Sequence, residues 1–117
     1  MAASELRQLL EQAEQHRVQG EYEAALPLYE QALQAEPVNL QARLGLGHCL
    51  LNSGEFDRGL EHFRRAASDH PHSAEPHLLL ARMLLMLGFD EEGQAELRRV
   101  LELDPDNAEV RRYLSYL

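Results

Sequence analysis

Three observations predict an all-α fold built from repeated helix pairs. Glycines recur every 34 residues, at Gly20, Gly54 and Gly88, and prolines keep the same period at Pro37, Pro71 and Pro105. Between these breakers the apolar residues fall three and four apart, the spacing of one helix face. Three further columns share the period: Ala25, Gly59 and Gly93; Tyr29, Phe63 and Leu97; Ala32, Ala66 and Val100. Self-similarity at one fixed period marks a repeat architecture, in which stacked units bury a core that no unit closes alone.

Each unit reads as two helices. The first, as over Leu40–Asn52 or residues 76–87, ends at its glycine, which supplies the left-handed residue that stops a helix. The second, over Tyr22–Ala35, Phe56–Asp69 and Asp90–Leu103, stops before its proline, because proline disfavours helix in the residue preceding it. Two residues beyond each proline stands Asn39, Ser73 or Asn107, each a good N-cap for the next helix. The small column at Ala25, Gly59 and Gly93 lets neighbouring helices approach closely. Pro27 lies about one turn into its helix and predicts a mild kink, whereas Pro76 sits in a first turn, where its missing N–H costs little. The units then span residues 6–39, 40–73 and 74–107. Residues 108–117 restart the first-helix pattern with Val110, Tyr113, Leu114 and Leu117.

The 117 residues suffice for one domain, with 44% apolar side chains to bury and 26% charged ones for the surface. Twenty acids stand against eleven bases, a formal net charge of −9, and every base is Arg. Such a chain is repelled by phosphate, which excludes nucleic acid and anionic membranes as partners. Without Lys there is no Schiff-base chemistry and no Walker-type phosphate loop. Charge is uneven: residues 1–37 hold seven acids and two arginines, residues 38–71 four of each, and residues 72–105 seven and three. No apolar run approaches the roughly 18 residues of a membrane span. The opening MAASELRQLL lacks the basic-then-apolar layout of a signal peptide, so a cytoplasmic location is expected.

No catalytic or metal-binding constellation stands out. His70 and His72 flank Pro71 with His77 nearby, but the first pair lies in a loop with side chains pointing in different directions, so all three read as solvated loop and surface histidines. Cys49 sits mid-helix as a small apolar filler, and His48, its neighbour in sequence, points about 100° away around the helix and is no activating base. Asp90-Glu91-Glu92 opens a helix, where negative charge is favourable. Arg64-Arg65 and Arg98-Arg99 are expected to pair with Glu61, Asp69, Glu96 and Glu102 on an outer surface. No enzyme activity, cofactor or metal is expected.

The repeated columns resemble the tetratricopeptide repeat, a 34-residue helix–turn–helix unit. The resemblance covers residues 6–107 and is densest at Leu46-Gly47, Gly54, Phe56, Gly59, Phe63, Ala66 and Pro71. It departs where the family often places a large aromatic in the first helix, here Leu9, Arg43 and His77, and at Asp90, which stands where Tyr22 and Phe56 stand in the earlier units. The resemblance implies a right-handed superhelical stack of about seven helices, the last capping the stack. It also implies a protein-interaction module with a concave groove lined by the first helices.

The family's groove columns fall on Leu10, Leu44 and Leu78; on Glu14, His48 and Arg82; and on Arg17, Leu51 and Leu85, with Arg7, Gln41 and Glu75 one turn earlier. Leu44, Leu51, Leu78 and Leu85 are expected to form an exposed apolar strip for a peptide or helix of a partner protein. Glu14, Arg17, His48 and Arg82 would set its register, with a Kd on the order of micromolar. Binding of a basic partner through His48 would weaken below about pH 6.5. Co-chaperones of the family hold the acidic C-terminal tail of heat-shock chaperones with Lys, Asn and Arg. The matching positions here are Leu10, Glu14, Gly45, Glu75 and Leu79, which implies that such a tail is not the partner. Tyr113, Tyr116 and Leu117 cannot all face inward, so a homo-oligomer assembled through the last helix is the alternative. Similar three-repeat domains serve as secretion chaperones, a further alternative, although the flanking extensions expected of one are missing.

Overall fold

The computed structural model describes residues 1–117 as seven α-helices: α1 (Ala3–Val18), α2 (Tyr22–Ala35), α3 (Leu40–Asn52), α4 (Phe56–Asp69), α5 (Ala74–Met86), α6 (Asp90–Leu103) and α7 (Ala108–Ser115). Helices α2, α3, α4 and α6 start and stop where the breaker spacing predicts. Helix α5 begins two residues before Pro76, and α7 ends at Ser115.

The breakers act as their chemistry requires. Gly20, Gly54 and Gly88 hold φ of 80°, 85° and 89°, and they are the chain's positive-φ residues. This left-handed step lets the following N–H turn back onto the helix: Glu21 N donates to His16 O, Glu55 N to Leu50 O and Phe89 N to Leu84 O, each at 2.8 Å. The expectation of a side-chain cap after every proline holds at two sites of three. Asn39 accepts from Ala42 N at 2.8 Å and Asn107 from Val110 N at 3.0 Å, while Ser73 makes no such bond. The matching N–H after Ser73 belongs to position 76, and Pro76 has none to give. Helix α2 continues through Pro27, whose ring lies on the exposed side.

The chain divides into two compact units, residues 1–62 and 63–117, with the boundary inside α4. In the first unit, Leu6, Leu10 and Ala13 of α1 pack with Ala25, Tyr29 and Ala32 of α2, and with Leu46, Cys49 and Leu50 of α3. Tyr29 is fully buried. Its ring lies where a side chain at position 45 would stand, since a Cβ on Gly45 would come within 2.2 Å of the ring carbon Cζ. In the second unit, Ala81 of α5, Leu97 and Val100 of α6 and Val110 of α7 form the buried cluster.

Polar side chains fill the position that an aromatic often takes in the resembling family. Arg43 is buried; its Nη2 donates to Pro37 O at 2.9 Å, and its Nη1 lies 3.1 Å from His62 Nδ1. One period later His77, only 8% exposed, places Nε2 3.1 Å from Pro71 O and Nδ1 2.7 Å from Glu96 Oε2. All three pairs of positions (43 and 77, 37 and 71, 62 and 96) are 34 residues apart. Each buried polar residue thus ties the preceding proline loop to the second helix of its own repeat. In the first repeat, Leu9 and Leu28 stand at the corresponding positions, both part of the apolar cluster. His77 therefore belongs to the interior, not to the solvated histidines among which the sequence placed it.

Candidate functional site

Several expected groove residues have structural duties inside their own unit. Leu44 and Leu10 are buried, so each offers little surface to a peptide. Leu51 is half-buried because its side chain covers Gly59: a Cβ there would meet Leu51 Cδ2 at 2.9 Å. Leu85 covers Gly93 in the same way, with Cγ at 2.7 Å from such a Cβ. Gly59 and Gly93 of the small column thus receive the leucine of the preceding helix, and the expected exposed strip is reduced to partly accessible edges.

Polar members of the first unit are also engaged. Arg17 Nε donates to Glu14 Oε2 at 3.2 Å, and Tyr29 Oη donates to the same oxygen at 3.0 Å. The Arg17 bond, aided by that of Tyr29, holds the Glu14 carboxyl below its usual range and lifts Arg17 above its own. Burial, with the Glu14 charge behind it, pushes the Tyr29 phenol up to about 12. His48 is half-buried beside them; desolvation first, and then the Arg17 charge, lower its pKa. Arg7, Leu10 and Gln41 line a cleft of about 380 Å³ together with the carboxylates of Glu11 and Glu36.

The second unit holds the apolar cleft. It encloses about 430 Å³ and is floored by Leu78 and Leu85 of α5, Leu97 of α6 and Val110 of α7. Arg82, Glu109 and Arg112 line it as charged groups, and Tyr113 and Tyr116 as aromatic ones. Arg82 Nη2 donates to both carboxylate oxygens of Glu109, at 3.1 Å each. Three expected groove residues, Leu78, Arg82 and Leu85, therefore share one cleft with two residues expected to serve self-association. Glu75 is exposed at the start of α5 and does not line it. Tyr116 is 81% exposed, and Leu117 is exposed beyond it.

Leu97, Glu109, Val110 and Arg112 were not anticipated, though the sequence carried a signal for two of them. Adding one more period to the groove columns takes Glu75 to Glu109, Leu78 to Arg112 and Arg82 to Tyr116. Helix α7 repeats the first-helix register as well as its apolar spacing.

The remaining candidates resolve into structure. Cys49 is fully buried, and desolvation raises its thiol pKa, the reverse of an activated nucleophile. No three side chains among His, Cys, Asp and Glu gather as a metal site would need. Arg64 pairs with Glu92 rather than Glu61, with Nη2 3.1 Å from Oε1, while Arg99 pairs with Glu102 at 2.7 Å as expected. Glu96 is held by His77 instead of an arginine. Of the five positions used to exclude an acidic chaperone tail, Leu10 and Gly45 are buried and Glu14 is paired. Their lack of positive charge does not describe the surface a peptide meets, and the exclusion is withdrawn. No helix is long and apolar enough to cross a membrane.

Two family models described as tetratricopeptide repeat match the chain, over residues 10–74 and 53–115. Comparison with curated proteins gives no match. Among solved structures, the type III secretion translocator chaperone SycD of Yersinia enterocolitica aligns with a TM-score of 0.87 at 22% identity, covering 99% of this chain and 92% of that one. SycD in complex with a peptide of the translocator YopD aligns at 0.82 and 22%, covering 98% and 88%. The first repeat domain of Spaghetti (RPAP3) bound to the HSP90 peptide SRMEEVD aligns at 0.85 and 21%, covering 99% and 92%.

Proposed function

Since this chain belongs to the tetratricopeptide repeat family, we propose that it is a protein-interaction module that seats a peptide or helix of a partner protein and catalyses no reaction. The observation that carries this reading is the apolar cleft of about 430 Å³ between α5, α6 and α7. A cleft of that size holds one or two large side chains, and its few charged groups fix orientation while the leucines supply apolar contact. Structures of the same fold bound to a YopD peptide and to an HSP90 peptide support peptide binding as the use of this fold. Arg7 and Gln41 of the first unit add a second, more polar contact area. Affinity for a short segment is expected on the order of micromolar, in a cytoplasmic setting.

The test compares the native chain with Tyr113→Glu/Tyr116→Glu as baits for cell extract, after circular dichroism shows both folded. Both tyrosines are exposed, so the substitutions spare the core, unlike changes at Leu51 or Leu85. Partners retained by the native bait and lost with the variant support the cleft. Identical captures by both baits count against it.

The 81% exposure of Tyr116, next to exposed Leu117, favours a second reading, self-association through α7. Mass measured across a dilution series separates the two: a strictly monomeric chain removes self-association, and a dimer lost in the tyrosine variant supports it. A secretion-type chaperone is a special case of the first reading, with an apolar cargo segment in the cleft.

A further inference from the structure

The charge lining the second unit's cleft does not follow that of the chain. The chain has a formal net charge of −9, yet two arginines, Arg82 and Arg112, line this cleft against one carboxylate, Glu109. That carboxylate comes from the molecule itself and is held by Arg82 Nη2 through both oxygens. The pair is exposed, 51% at Arg82 and 68% at Glu109. An ion pair so open to water is weak, so another carboxylate exchanges for Glu109 at little cost. A guanidinium has five donors in a planar fork suited to carboxylates, and the Nε and Nη1 donors lie outside this pair.

We propose that the cleft takes a peptide segment in which a large apolar side chain is flanked by a carboxylate. The side chain rests on Leu78, Leu85 and Tyr113, and the carboxylate displaces Glu109 from Arg82. Arg112 supplies a second positive charge. In the empty protein Glu109 occupies the ligand carboxylate's place and acts as an internal competitor. Apolar contact beside the new pair excludes water from it, which makes the ligand's ion pair stronger than the exposed one it replaces. The inference rests on the cleft being the peptide site and goes further by assigning the partner's chemistry.

A random-peptide display library, selected in parallel on the native chain, Arg82→Gln and Glu109→Gln, tests it. Both positions are exposed, and circular dichroism confirms that the variants fold. The native chain is expected to enrich Leu, Ile, Phe or Met next to Asp or Glu. A synthetic peptide of that consensus should bind Glu109→Gln about threefold more tightly than the native chain. Arg82→Gln should lose most of the native chain's preference for the Asp/Glu peptide over its Asn/Gln counterpart, keeping only what Arg112 supplies. An apolar consensus without an acid, or a Glu109→Gln variant that binds no more tightly, overturns the inference and leaves the peptide-binding reading standing. A native chain that enriches nothing overturns both.

Discussion

Gly45 shows how much a single residue decides in this chain. Tyr29 is wholly buried against it, and a methyl group at position 45 would overlap the ring. Gly45→Ala forces a buried aromatic off its site and should cost about 1–3 kcal/mol, read from urea unfolding. An unchanged midpoint would show that Tyr29 has another place to go. His77 makes the complementary case. His77→Ala strands the Glu96 carboxylate, a loss of about 1–3 kcal/mol, while the Pro71 carbonyl keeps its bond from Arg99 Nη2 at 2.9 Å. His77→Leu/Glu96→Leu, which removes both partners, should cost less than the single change.

The titrating residues near α1 give a pH dependence with a definite sign. The folded state lowers His48 from 6.5, so the unfolded chain binds that proton more readily. Its contribution to stability is full above pH 6.5 and declines as pH falls through that value towards the lowered folded-state pKa. Glu14 is lowered from 4.5, so its contribution is present above that value and is lost as pH falls through the folded-state pKa. Urea midpoints measured from about pH 8 down to about pH 5 should fall less in His48→Gln than in the native chain. Parallel curves would contradict the assignment to His48.

At the scale of elements, the helices could be read from the sequence because their limits are set locally. Gly20, Gly54 and Gly88 end the first helices through positive φ, and the prolines end the second ones, so no tertiary information is needed. Local chemistry also explains the one failed cap. Asn39→Ala should therefore cost about 1 kcal/mol, while Ser73→Ala should be near neutral, because Pro76 offers no N–H to Ser73. Equal losses at the two positions would contradict this account. The faces of the helices were harder to read. Helical phase puts Leu51 and Leu85 in a groove column, but it does not say that Gly59 and Gly93 draw their side chains onto the second helix. The interior places of Arg43 and His77 were hidden for the same reason, since their partners lie 19 residues onward and 6 back.

For the molecule as a whole, the proposed function turns on one cleft in the second unit, where three expected groove residues meet two residues of α7 expected to serve self-association. Its α7 side escaped sequence reading because a short last helix looks like a cap, although Glu109, Arg112 and Tyr116 continue the groove columns by one period. The most direct measurement is amide chemical-shift mapping as a library-selected peptide is titrated into the labelled native chain. The account predicts saturable shifts on the α5 and α7 amides around Arg82, Leu85, Val110 and Tyr113, with little change along the outer faces of α2 and α4. Shifts confined to those outer faces, with the α5 and α7 amides unmoved, would contradict it.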